Sequence, residues 1–192
     1  MKGGVRPSRR GVLWSIAAGA VPLLWGVRAL SQDHGRVRPP VAAPDLPVVQ
    51  NDGAHTTLGA LLGHHATALQ VMFTACTTTC PIQGAIFERV QKLIPDQIAR
   101  GVQLVSLSVD PKHDTAAALG RWLRRFHARP GWIAVAPRAQ DVEQVRTFAG
   151  RGRSLSDNHS TQVQLLNREG LVVWRTGELP EAEEIAALLR RI

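Results

Sequence analysis

Tyrosine is absent from this 192-residue chain, which has only four phenylalanines and five tryptophans. None of these falls in the pattern by which RNA-binding sheets stack bases. Cysteine is nearly as scarce: there are two, Cys76 and Cys80, and no zinc-finger spacing. No acidic residue occurs in the first 31 positions, which hold five basic ones. The formal charge of +8 is therefore unevenly spread, and the remainder carries 18 Lys+Arg against 15 Asp+Glu, about +3. A body this mildly basic, without stacking aromatics, argues against a nucleic-acid partner. Internal repeats and low-complexity tracts are missing too, which leaves one domain plus extensions. With 44% hydrophobic residues the chain has enough apolar material for a real core.

The N-terminus reads as a targeting segment. Ser8-Arg9-Arg10-Gly11-Val12-Leu13 resembles a twin-arginine export signal, and an uncharged, mostly apolar run extends from Gly11 to Val27. At 17 residues this run lies at the lower edge of bilayer-spanning length. Ala29-Leu30-Ser31 offers small residues for cleavage after Ser31; the rival outcome is an uncleaved membrane anchor. Either outcome places the remaining chain outside the cytoplasm, in the periplasm or facing it. The domains expected are a leader over 1–31, a linker over 32–47 and one folded domain over 48–192. The Pro- and Arg-rich linker would reach roughly 50 Å if extended, at ~3.1 Å per residue.

Within the folded part, Asn51-Asp52-Gly53 signals a small hairpin. Residues 56–63 read as a short helix, and 68–73 as a strand ending just before Cys76. A helix is expected over 78–99, with Ile82, Ile86, Val90, Leu93 and Ile94 facing inward and Pro95 breaking or kinking it. Residues 102–109 form an almost unbroken apolar run, as in a strand buried on both faces. Asp114 or Thr115 caps the next helix, which carries Leu119, Trp122, Leu123 and Phe126; its arginines form a solvated face. A strand over 132–135, a helix over 142–148, a hairpin around Asn167–Gly170 and a last helix over 181–190 complete the order. The fold class expected is α/β: a thioredoxin-like central sheet flanked by helices.

The two cysteines stand where the first strand gives way to a helix, the place where open α/β sheets put functional groups. Free N–H groups and the dipole at a helix start favour thiolate over thiol. An i, i+4 pair on one helical face has Cβ atoms ~5–6 Å apart, which permits shared metal ligation or a disulfide. Dithiol oxidoreductases of this architecture generally separate their cysteines by two residues; three here tilts the reading toward metal. Thiolates are soft ligands that suit Cu(I), and an added imidazole suits copper in either oxidation state. Cys, Cys and His also match a zinc ligand count. Of the histidines, His34 is in the linker, His64-His65 in a loop and His127 at a helix end. His113 lies in the loop Asp110–Asp114, and His159 precedes a strand whose entry faces the cysteine loop in a thioredoxin-like fold.

Three motifs in order carry a family resemblance. Phe73-Thr74-x-Cys76-x-x-x-Cys80-Pro81, Ser108-Val109-Asp110-Pro111-x-x-Asp114-Thr115 and Asp157-Asn158-His159-Ser160 resemble the corresponding elements of the Sco/SenC copper-chaperone family. Two positions depart from it: Asn158 replaces the usual Asp before the histidine, and the tyrosine that follows it is missing. The resemblance implies a copper site of Cys76, Cys80 and His159, with copper as Cu(I) or Cu(II). It implies a monomeric carrier whose partner is the copper-bearing subunit of cytochrome c oxidase or another copper protein. Asp110 is expected to hold the cysteine loop, meet the partner or cap the following helix. The alternative is a thiol–disulfide reductase acting on exported proteins, with Cys76 attacking and Cys80 resolving. A peroxidase fits poorly, because no arginine flanks Cys76.

Overall fold

The computed structural model describes Met1, residues 34–150 and residues 160–192. The leader expected over 1–31, Met1 apart, and the candidate ligand His159 lie outside the described residues. Among the described residues, no helix is long and apolar enough to cross a membrane.

Among the described residues, eight strands form one mixed sheet in the order β1-β8-β7-β4-β5-β6-β2-β3. Its centre is parallel: β4 (Ala66–Met72), β5 (Val102–Ser108) and β6 (Trp132–Pro137). Every residue of β4 and β5 is buried, which is why their sequences run apolar instead of alternating. Antiparallel strands extend both sides. β7 (Gln162–Leu166) and β8 (Leu171–Glu178) form the C-terminal hairpin beside β4. β2 (Pro47–Gln50) and β3 (His55–Thr57) form the hairpin that the Asn51-Asp52-Gly53 turn demands, and β2 pairs with β6.

Side chains alternate across the central strands into two cores. Ala68, Met72 and Leu104 face α2 (Thr79–Leu93), α4 (Ala116–Arg125) and α6 (Ala182–Leu189). Leu69, Val71, Val105 and Leu107 face α1 (Leu58–Leu62) and α5 (Val142–Ala149). This is the thioredoxin-like sandwich expected from the sequence.

Two local expectations are corrected and a third holds. Residues 35–42, read as linker, form β1 (Gly35–Ala42) and pair with β8; the pairing supplies the backbone partners that the irregular composition concealed. Pro95 breaks the long helix as expected: α2 stops at Leu93 and a separate turn, α3 (Pro95–Ala99), follows, because proline has no N–H to donate to the carbonyl four residues back and its ring crowds that carbonyl. Of the residues expected to face inward from this helix, Val90 and Ile94 are buried and Ile86 and Leu93 pack against the core, but Ile82 is 50% exposed; Cys80, Gly84 and Phe87 are buried as well. Gly84 is where this helix and Phe126 approach most closely. A Cβ at Gly84 would lie 2.5 Å from Phe126 Cζ, and Phe126 is itself held edge-on against Trp122 at 4.6 Å.

The functional edge is held by Asp114. Its buried carboxylate accepts the Thr74 amide at 3.1 Å, the Thr74 hydroxyl at 2.5 Å and the Ser108 hydroxyl at 2.6 Å. It thereby joins the loop after β4 to the end of β5. Thr115, not Asp114, caps α4, through its side chain and the Ala118 amide.

Two substitutions test this account. Asp114→Asn puts an amide donor where three donors converge, and should cost about 1.5–3 kcal/mol of unfolding free energy in a urea titration. Gly84→Val should cost about 1–3 kcal/mol by overpacking against Phe126. A wild-type urea midpoint in either variant would contradict the packing described.

Candidate metal centre

β4 delivers the chain to the edge of the sheet, and a turn then brings Cys76 back, with its amide donating to Phe73 O at 3.2 Å. α2 begins at Thr79, so Cys80 lies in its first turn with Pro81 beside it, where a missing N–H leaves no helical bond unmade. Neither cysteine is in a disulfide, and both are buried, Cys76 at 6% exposure and Cys80 at 0%.

The sulfur of Cys76 serves as acceptor for the start of α2. Cys80 N–H donates to Cys76 Sγ at 3.4 Å, and Thr78 Oγ1 lies 3.6 Å from the same sulfur. Thr78, at the N-cap position, makes no side-chain capping bond of its own, so the sulfur occupies the place of the usual capping oxygen. Two influences oppose each other at Cys76. Burial pushes its thiol up; the Cys80 thiol and amide, then Thr78, push it down through hydrogen bonds to the sulfur. The hydrogen bonds prevail, and the pKa falls from 9.0 to about 7. At neutral pH a large fraction of Cys76 is thiolate, the form that ligates soft metals and attacks disulfides.

Among the described residues, no group of three or more His, Cys, Asp or Glu side chains stands ready to hold a metal. Of the three candidate ligands, the described residues include Cys76 and Cys80. His159 and its neighbours Asp157 and Asn158 lie outside the described residues, and the described chain resumes at Ser160. Leu69 pairs with Gln164 and Ala68 with Leu165 in the β4–β7 ladder. Continued in register, that ladder sets Ser160 opposite Phe73, at the edge where the cysteine loop begins. Two side chains fix this entry. The Glu178 carboxylate accepts the Ser160 hydroxyl at 2.9 Å, the Thr161 amide at 2.6 Å and the Thr161 hydroxyl. Gln83, on the helix that carries Cys80, donates to Thr161 O at 3.3 Å.

The other histidines are placed elsewhere. His113 Nδ1 pairs with Asp110 at 2.7 Å, and its side chain is 71% exposed. His127 pairs with Glu88 at 3.3 Å. His65 bonds Gly101 O at 3.1 Å, at the opposite end of β4 from the cysteines. Of the roles expected for Asp110, holding the cysteine loop falls to Asp114, while the Asp110 carboxylate pairs with His113. The correction has a geometric reason: Asp110 leaves β5 on the exposed side of the turn, and only Asp114 returns inward to meet Thr74. Sequence reasoning also missed Glu178 and Gln83. Nothing in their local pattern marks them, since each acts on a segment distant along the chain.

Comparison with known proteins gives this geometry a lineage. The SCO1/SenC family profile matches residues 42–192. Protein SCO2 homolog, mitochondrial, of Danio rerio is 27% identical over 156 residues, covering 76% of this chain and 55% of that protein. The chain spans about half the length of the curated relatives it matches. Among solved structures, a SCO1/SenC family lipoprotein from Bacillus anthracis superposes with a TM-score of 0.66 at 23% identity, covering 81% of this chain and 98% of that one. Arabidopsis thaliana ScoI with copper bound superposes with a TM-score of 0.65 at 19% identity, over 78% and 97% of the two chains. The cysteine edge on its thioredoxin-like sheet, matched from residue 42 to the C-terminus, makes this chain a member of the SCO1/SenC family.

Proposed function

We propose that this chain is an exported copper carrier. Copper is its cargo: the thiolates of Cys76 and Cys80 hold it, His159 completes the ligand set, and ligand exchange passes it to a recipient. The recipient proposed is the copper-bearing subunit of cytochrome c oxidase. The observation that carries this reading is the Cys76 sulfur held toward thiolate beside buried Cys80. Two adjacent soft donors in a low-dielectric setting fit copper better than they fit hard cations. The β7 entry, pinned by Glu178 and Gln83 at the cysteine edge, supports His159 as the third ligand. The Arg9-Arg10 leader supports export to the periplasm, with the leader cleaved or kept as an anchor. The proposed division is therefore a leader over 1–31 and a functional domain that includes β1.

The same thiolate favours one second reading, a thiol–disulfide reductase. Cys76, the slightly exposed sulfur, would attack a substrate disulfide and form a mixed disulfide. Cys80 would then displace the substrate thiol, leaving the Cys76–Cys80 disulfide, two electrons having passed to the substrate.

Copper titration of the purified protein separates the ligands. Wild type should bind one copper with a sulfur-to-metal charge-transfer band. His159→Ala should lose roughly tenfold or more in affinity and shift that band, and the same affinity and spectrum in both proteins would remove His159 from the site. In a deletion strain, restoration of oxidase activity by added copper favours delivery, whereas persistence of the defect favours thiol reduction. The pH dependence has a definite sign. Because the folded pKa is lowered, Cys76 adds stability to the reduced apoprotein that is fully present above the unfolded value near 9.0 and lost as pH falls through about 7. Alkylation of Cys76 by iodoacetamide should accordingly rise with a midpoint near pH 7, and Thr78→Val should move that midpoint upward.

A further inference from the structure

A cleft of about 270 Å³ opens beside the cysteine loop, lined by Thr74, Ala118, Arg121, Trp122 and Arg125. Arg121 and Arg125 are one helical turn apart on α4, so both guanidinium groups serve the same face. Neither has a carboxylate within ion-pairing distance among the described residues. The Arg125 guanidinium lies over the Phe126 ring, 5.5 Å from its centre, which limits its freedom. Trp122 is 3% exposed, and its buried Nε1–H has no acceptor. Asp114, the carboxylate behind Thr74, does not line the cleft; its oxygens are taken by Thr74 and Ser108. Two guanidinium groups thus flank a cleft to which, among the described residues, the protein supplies no carboxylate.

We propose that this cleft receives a carboxylate side chain of the protein that exchanges copper with Cys76 and Cys80. The inference rests on the copper-carrier reading and names the chemistry of the partner's docking face. Thr74 is two residues from Cys76. A partner whose ligands reach that sulfur, with a standard footprint of about 800 Å² on each side, also covers the cleft. A planar guanidinium fork matches a carboxylate in two hydrogen bonds. An acidic residue placed there would orient the partner before any copper bond is exchanged, and would speed encounter at low salt.

The test uses the isotope-labelled full chain, titrated without metal at low salt with a blocked hexaglutamate peptide and, in parallel, a hexaglutamine peptide. The Trp122 indole N–H and the Nε–H signals of Arg121 and Arg125 should shift saturably with hexaglutamate and stay in place with hexaglutamine. The double variant Arg121→Gln, Arg125→Gln should weaken hexaglutamate binding by about tenfold, as expected for two partly exposed charge pairs. Lysine at both positions should restore part of the loss. Copper titration of the glutamine variant should match wild type, which shows that the fold and the cysteine site are intact. An unmoved Trp122 signal, or undiminished affinity in the glutamine variant, overturns the proposal. So does inorganic phosphate saturating the same signals at lower concentration than the peptide, which would make the cleft a small-anion site. A wild-type chain that binds the peptide through these residues yet binds no copper overturns the copper-carrier reading instead.

Discussion

Asp114 reaches from the start of α4 to both donors of Thr74 and to the hydroxyl of Ser108, and the cysteine edge depends on that buried carboxylate. Parallel strands end in loops with no hydrogen-bonding neighbour to restrain them. Here the loops after β4 and β5 are tied to each other instead of being left to solvent. A charged acceptor makes the tie stronger than a neutral one would, and three donors compensate it for leaving water. With Thr74 fixed, the turn that carries Cys76 starts from a defined point.

From that point the next interaction follows by chain geometry. Cys76 returns under the first turn of α2 and takes the amide of Cys80. Helix starts ordinarily use an oxygen for this purpose. Using sulfur links the ionisation of the thiol to the stability of the helix end, so the reactive group and the structural cap are one atom. Across the sheet, Glu178 and Gln83 set the entry to β7 with the same economy: side chains from β8 and α2 hold the Ser160 hydroxyl and the Thr161 backbone. Three strand ends thus meet at this edge of the sheet, those of β4 and β5 fastened by Asp114 and the entry of β7 by Glu178 and Gln83.

The sequence made the central elements legible because their physics is local. The unbroken apolar runs of β4 and β5, the Asn51-Asp52-Gly53 turn and the cysteine pair at a strand-to-helix junction all announce themselves within a few residues. What it concealed depends on contacts between distant residues. Periodicity placed Ile82 on the inward side of α2, yet Ile82 is exposed while Gly84, which the Phe126 ring approaches closely, is buried. Gln83 and Gln91 look like surface residues, yet they are buried because backbone carbonyls at Thr161 and Arg129 accept from them. Asp110 and Asp114 are equivalent as letters in a loop; only the fold shows which one turns inward. The same limit applied to the site: the cysteines were readable from spacing, whereas Asp114 and Glu178 were readable only from the partners they meet.

β1 illustrates how composition can mislead and why it is nonetheless suited to its place. It pairs with β8 at Gly35, Arg36, Val41 and Ala42, and the register breaks between these two ends. Pro39 and Pro40 occupy the break. Proline has no N–H to offer, and the neighbouring Arg36 and Arg38 bring charge to the same border strand. The outer side of β1 therefore lacks the continuous row of amides that a further strand would need, and on that flank the sheet resists growth by addition of a second chain. A stretch that looks like a tether on paper is, in the folded molecule, a built-in stop against edge-to-edge aggregation.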